Sequence, residues 1–455
     1  MKKATFCIMA LSLALALFQT GFAGVTPEEA ARLKTTLTPF GAERAGNADG
    51  TIPAWEGGYT TVPAGYKSGQ SRPDPFADEK PYLTITGKNM DEYADKLAEG
   101  TKLLLKKYPE FRVDVYPTHR TAAAPQWVYE ATSANATRAK NTDGGVSVEG
   151  AYNGIPFPIP KSGSEAIFNH LLAWQGVEFD LPFRIYMVTS SGKAILAVEA
   201  QNSSTYPYYY NDVPYEDFCG IYWKFRHLQT APPFKAGECI LWWDPVNMAK
   251  EGGRQAWQYL TGQRRVRRAP SIAYDTPDFV SSGQNYFDEV FIFNGAIDRY
   301  SWKMLGKKEM YIPYNCNKYY LAKDKDVIGD GKQYINPDYV RWELHRVWVV
   351  EATLAPGKRN VVAKRRFYLD EDTWFAVLYD GWDGKDQLWR YTQSMPLNIV
   401  ELPGVIPVTF GIHNLETGSR TVTNQVNEMP VQYQVMERRP ESFFTPDALA
   451  GSGVR

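Results

Sequence analysis

The sequence predicts a mainly β, α+β protein built on one large, curved antiparallel sheet, and three observations carry that reading. Aromatic residues make up 14% of the chain, with 29 Tyr and 13 Trp, and such side chains favour the pleated, half-buried surface of a strand. Runs of helical period are few and lie before Arg184. Beyond Arg184, short alternating segments follow one another across turn residues, with no break in composition to mark a second large domain.

The elements follow in order. Lys2 and Lys3, the apolar run Ala4 to Phe18 and the small residues ending at Ala23 read as a cleaved signal peptide, residues 1–23. The mature chain is therefore expected to be periplasmic, with no stretch long enough to span a bilayer. Thr26-Pro27-Glu28-Glu29 is a capping box that starts a short helix. The Gly- and Pro-dense stretch from Thr38 to Tyr82 predicts an irregular arm, followed by a helix from Met90 to Tyr108 capped by Asn89. Residues 24–110 thus form N-terminal helices and an arm packed on a sheet domain of residues 111–455.

Within that domain, alternation marks 112–116 and Gln126 to Glu130 as strands. Three prolines between Gly154 and Pro160 exclude regular structure there, and Ser162 with Glu165 caps a helix from Glu165 to Trp174. Candidate strands then run Arg184–Val188, Ala194–Ala200, Tyr222–Gln229, Cys239–Asp244, Arg254–Leu260, Phe291–Tyr300 and Lys307–Pro313. A meander of His345–Ala352, Asn360–Leu369, Trp374–Asp380 and Gln387–Thr392 turns at Pro356-Gly357, Asp370-Glu371-Asp372 and Asp383-Gly384. The three acids of the middle turn are expected to be solvated.

Charge and chemistry exclude several functions. Removing Lys2 and Lys3 from the 50 basic residues leaves 48 against 51 acidic ones, a formal charge of -3, which gives no general attraction to nucleic acid. No nucleophile elbow, zinc-protease motif, phosphate loop or dinucleotide fingerprint occurs, and the five histidines are scattered, so no cofactor or metal is implied. Arg341, Glu343 and His345 share one face of a predicted strand. They form either a cross-strand ion ladder or the acid/base pair of a hydrolase. Of the cysteines beyond the leader, Cys219 and Cys239 are the favoured disulfide pair.

Two features point toward an apolar ligand. In Trp374-Phe375-Ala376-Val377-Leu378-Tyr379 both strand faces are apolar, so helices, another sheet or a hydrophobic ligand must cover the second face. The stretch from Arg254 to Asp275 carries Arg264, Arg265, Arg267 and Arg268. These are either a charged edge strand that resists edge pairing or a rim gripping an amphiphile's head group.

The blocks RQAWQYLTGQRRVRRAP, FNGAIDRYSWKMLGKKEMYIPYN and VRWELHRVWVVEATLAPGKRNVVAKRRFYLDEDTWFAVLYDGWDGKDQLWR resemble the bacterial periplasmic family called domain of unknown function 1329. More distantly, FYLDEDTWFAVLYDGWDGKDQLWR is similar to a hairpin of outer-membrane lipoprotein carriers and sorting factors. That resemblance implies a half-open β-barrel wrapped over helices with an apolar cavity. It also implies a resistance-nodulation-type inner-membrane exporter and an outer-membrane protein as partners. The expected function is therefore a non-enzymatic carrier of a lipid or other hydrophobic molecule. Trp257, Tyr259, Trp348, Trp374 and Trp389 are the candidate cavity wall, and Arg265, Arg267 and Arg268 the candidate head-group rim. The alternatives are a secreted hydrolase of a lipid or polymer, using Glu343 and His345, and a structural docking module of an envelope export complex.

Overall fold

The computed structural model describes residues 24–452, so the predicted leader lies outside the described residues. Sixteen strands join in one sheet. Its order starts at Leu83–Ile85, Val113–Val115 and Trp342–Leu354, then follows the meander Lys364–Asp370, Ala376–Trp382, Leu388–Ile399, Gly404–Asn414 and Arg420–Gln425. It continues through Glu178–Val188, Ala194–Thr205, Ile221–Ala231, Cys239–Pro245, Gln255–Leu260 and Arg265–Arg268. Tyr300–Pro313 pairs beside Trp342–Leu354, and the short Gln434–Val435 beside Glu178–Val188. The pairing is antiparallel apart from the contact of Val115 with Trp342. The sheet is not closed into a barrel: its order ends on two different strands.

Both faces are covered, which explains why so many strands are apolar on both sides. On the inner face lie the helix Gly163–Leu171 and the irregular segment 269–299. His170 fastens them together: its Nδ1 accepts from the Ala376 amide at 3.0 Å, so Nε2 carries the proton and donates to the Phe293 carbonyl at 3.1 Å. The outer face receives the helix Glu99–Lys107, whose first amides, Glu99 and Gly100, donate to the Asp380 carboxylate at 2.9 and 2.8 Å. A carboxylate at a helix start is where the orphan amides and the dipole favour it. Gly100 sits so close to the Tyr391 ring that an added Cβ would meet it at 2.2 Å, so this approach requires glycine. Helices and irregular chain, rather than a second sheet, cover the second apolar face.

Several expectations are corrected. Gln126 to Glu130 begins the helix Gln126–Arg138 rather than a strand. Its buried stripe is Val128, Thr132, Asn135 and Ala136, a helical spacing whose polar members are held by hydrogen bonds to carbonyls. The helix predicted from Met90 to Tyr108 breaks at Leu97 into a 3₁₀ segment, Met90–Lys96, and Glu99–Lys107. Asn89 spends its side-chain oxygen on the Thr86 amide instead of capping. Phe291 to Tyr300 is not a strand, because Phe291 and Ile292 take left-handed φ values of 50° and 73° and turn the chain over the inner face. The capping boxes at Thr26 and Ser162 do place helix starts, Pro27–Ala31 and Gly163–Leu171.

The Cys219–Cys239 bridge is also corrected: both thiols are free. Cys239 faces Leu228 across the strand pair, whereas Cys219 precedes Ile221, which faces Pro245 at the other end. Seven residue steps at strand rise separate those ends by about 23 Å, far beyond disulfide reach.

Candidate functional site

The inner face holds a hollow of 70 Å³ between the sheet and the segment 269–299. Phe183, Ile185, Phe225, Ile240, Trp242 and Phe410 reach it from the sheet, and Val280, Phe287, Val290 and Phe291 roof it. Strand alternation explains the lining. Phe225 and His227 point the same way, and across the pairs Phe225↔Trp242 and His227↔Ile240 their neighbours do too. Phe225 and Trp242 stack with centroids 4.0 Å apart. An open cleft of 260 Å³ adjoins the hollow and shares Tyr286 and Ile412 with it.

The roof is a strap fastened by charge. Arg390 rises from the sheet to hold Glu289 through Nε at 2.9 Å and Nη2 at 2.5 Å, and Arg365 holds Asp288 at 2.7 Å. Arg254, paired with Asp244 at 2.7 and 2.8 Å, also reaches Asn294. The strap itself has only short 3₁₀ turns, Phe287–Glu289 and Ile297–Arg299. Backbone bonds such as Asp278–Asn285 and Asp288–Tyr274 fold the strap on itself, and the side-chain tethers fasten it to the sheet.

Polar side chains interrupt the apolar lining, among them Asn202, His227, Asp278, Asn285 and Glu289. His227 is buried, with Nδ1 2.8 Å from Asn202 Oδ1. Burial pulls its pKa down to about 3, so the ring is neutral. Burial likewise pushes the Asp278 carboxyl up to about 6, although its Oδ1 accepts from the Val280 amide at 2.8 Å.

A second buried polar region lies on the outer face, at the predicted hydrolase pair. Glu343, 0% exposed, accepts from Arg341 at 2.5 Å, from Asn315 and His345 at 3.0 Å, and from the His119 amide at 2.9 Å. Burial raises its pKa, but His345, Arg341 and Asn315 outweigh that and hold it below the usual carboxylate value. Asp370, Glu371 and Asp372, expected in solvent, are all buried. The reason is non-local: Arg120 grips Asp372 at 2.9 and 2.6 Å across 252 positions, and Lys307 and Arg346 meet Glu371 at 2.8 and 3.4 Å.

His345, Asp370 and Asp372 each bring a ligand atom within 4.8 Å of the others, close enough for a cation. Asp372, however, has both oxygens engaged by Arg120, which leaves Asp370 Oδ1 as a buried oxygen without a partner. Burial, then the charge of Asp372, raises the Asp370 pKa. With His345 only 1% exposed, the Glu343–His345 pair has no room for a substrate in this structure.

The named wall residues divide between regions. Trp257 and Tyr259 face away from the hollow and pack under the C-terminal segment with Leu241, Phe444 and Leu449. Trp348 and Trp374 stack at 6.2 Å, with Trp374 Nε1 donating to the Phe40 carbonyl of the N-terminal arm at 2.7 Å. Trp389 lines the adjoining cleft. Arg265, Arg267 and Arg268 are exposed on the last strand of the sheet, where Arg268 lies 5.8 Å over the Trp257 ring. Sequence reasoning missed Phe183, Phe225, His227, Trp242 and Phe410. The alternation Trp223, Phe225, His227 was the available signal.

Comparisons with known proteins place the chain among relatives. The uncharacterized protein PA3922 of Pseudomonas aeruginosa is 40% identical over 456 residues, covering 97% of each chain. A crystal structure of a DUF1329 family protein from Desulfovibrio piger aligns at 16% identity and TM-score 0.40 over 60% of this chain and 92% of that one. A putative outer membrane lipoprotein-sorting protein domain from Vibrio parahaemolyticus aligns at 15% identity and TM-score 0.41, over 61% and 94%. The family model described as protein of unknown function DUF1329 matches residues 84–450, and the chain belongs to that family.

Proposed function

We propose that this protein is a periplasmic carrier that takes up an apolar molecule between its sheet and the strap and passes it between membranes. The observation that supports this reading is the hollow, an apolar space walled by the sheet and roofed by a tethered, irregular segment. Transfer of an alkyl chain from water contributes about 0.8 kcal/mol per buried CH₂, so a lined groove suffices for tight binding. Among the described residues no helix is long and apolar enough to cross a membrane. The inner-membrane exporter and outer-membrane protein implied by the sequence resemblance are the expected partners at the two ends of the transfer.

The size of the hollow adds a mechanical requirement. At 70 Å³ it is smaller than the roughly 150 Å³ apolar cavity that accommodates benzene in another protein. A lipid-sized ligand therefore enters by lifting the strap or by extending into the 260 Å³ cleft. The test is native mass spectrometry of protein purified from its own periplasm, followed by organic extraction. A stoichiometric co-purifying apolar molecule is the expected outcome. Empty protein that also fails to take up a fluorescent fatty alcohol or fatty acid overturns the reading.

A further inference from the structure

We propose that the hollow selects an uncharged, hydroxyl-bearing apolar molecule, an alcohol rather than a carboxylate or phosphate amphiphile. This rests on the carrier reading above and names its ligand class. The argument starts from His227. The Asn202 Oδ1 atom at 2.8 Å only accepts, so Nδ1 carries the ring proton and Nε2 presents a lone pair. That Nε2 is buried and has no hydrogen-bond partner. Asn285 Oδ1, on another lining residue, is a second buried acceptor without a donor. Trp242 Nε1, also on a lining residue, is a buried donor without an acceptor.

A hydroxyl is the simplest group that can serve either kind of atom, as donor to a nitrogen or amide oxygen or as acceptor from an indole. An alkane leaves all three unmade, and a buried unmade hydrogen bond costs about 1–3 kcal/mol. A ketone or ether serves only the indole. A carboxylate offers no proton to His227 and meets the wrong field. The charged residues lining the hollow are Asp278 and Glu289, Glu289 already neutralised by Arg390, and no Lys or Arg is among them. The exposed arginines of the edge strand line neither the hollow nor its cleft. Of the cleft's own arginines, Arg390 is paired with Glu289, and Arg420 lines the cleft but not the hollow, so a carboxylate that matched the alcohol would hold its head group in the cleft.

The experiment is calorimetry or probe displacement on the mature protein with dodecan-1-ol, dodecane, dodecan-2-one, dodecanoate and dodecylammonium. The alcohol is expected to bind about tenfold tighter than the alkane, about 1.4 kcal/mol, with the ketone near the alkane and dodecanoate weakest. His227→Phe should reduce the alcohol-to-alkane ratio to about one while leaving alkane affinity within about threefold. Asn285→Leu should reduce the same ratio and serves if the histidine variant does not fold. Dodecanoate, dodecylammonium or the ketone matching the alcohol overturns the proposal, as does an unchanged ratio in a folded His227→Phe protein. Alkane and alcohol binding equally breaks the hydroxyl inference alone. Binding of no member at all breaks the carrier reading and the proposal with it.

Discussion

The hollow and the outer-face ionic cluster are both buried and both dense with aromatic and charged side chains, yet they are built to opposite ends. Around Glu343 and Glu371, carboxylates meet guanidinium, ammonium or amide donors at 2.5 to 3.4 Å. The aromatic His345–Tyr314 contact at 4.0 Å closes the remaining space. In the hollow, polar atoms on His227, Asn285 and Trp242 are left without partners, and the roof has no strand of its own. The outer-face region, whose charges are largely paired and which leaves Asp370 Oδ1 and Tyr314 Oη unmet, holds the sheet's shape. A region with unmade hydrogen bonds and a tethered roof is poised to accept something else.

The largest expected break in this comparison is at Arg120. Replacing it with Leu leaves Asp372 and Glu371 buried without their shared cation, and a broken buried pair costs about 3–5 kcal/mol. Urea unfolding reads this as a lower midpoint with an unchanged slope. The strap's pins should behave differently. Glu289→Leu alone strands Arg390 and should cost about 3 kcal/mol. Glu289→Leu combined with Arg390→Leu should return stability to within about 1 kcal/mol of the parent, since apolar replacement of a whole buried pair is often neutral. The double variant should also load a fluorescent apolar probe several-fold faster in stopped flow. A double variant as unstable as the single one would place the strap among the rigid parts of the molecule.

The smallest effect is a pH dependence in the hollow. Asp278 has its pKa raised by burial to about 6 from an ordinary value of 3.8. The folded state therefore binds its proton more tightly than the unfolded chain. Stability from this group is full below pH 4 and is lost as pH rises through about 6. Asp278→Asn should match the parent at pH 4 and exceed it by about 2 kcal/mol above pH 7, measured as the difference in unfolding free energy across that range.

Elements were legible in the sequence where the local pattern and the packing agree. Cys239–Pro245, Ala376–Trp382 and the capped helix at Ser162 fall close to where alternation and capping chemistry put them. The helix at Gln126 was not legible, because Trp127 and Tyr129 imitate a strand while Thr132 and Asn135 fill its buried stripe. The candidate site was legible only as a class. Apolar residues on both faces of a strand do not say which face holds the space. Trp257 and Leu241 went under the C-terminal segment, while Trp242 and Phe225 went to the hollow. That choice depends on where residues 269–299 cross the sheet, information spread over distant positions. The acids at Asp370 to Asp372 were misread for the same reason, since their principal cation, Arg120, lies in a loop far away in sequence.

The way Arg365 and Arg390 hold Asp288 and Glu289 has a consequence for how such a molecule can operate. The fasteners are side chains reaching up from finished strands, and the sheet's own ladders pass beneath them intact. Opening the roof consumes no strand pairing, so the cost of admitting a passenger is decoupled from the cost of unfolding. The same chain can be stubborn as a scaffold and yielding as a container.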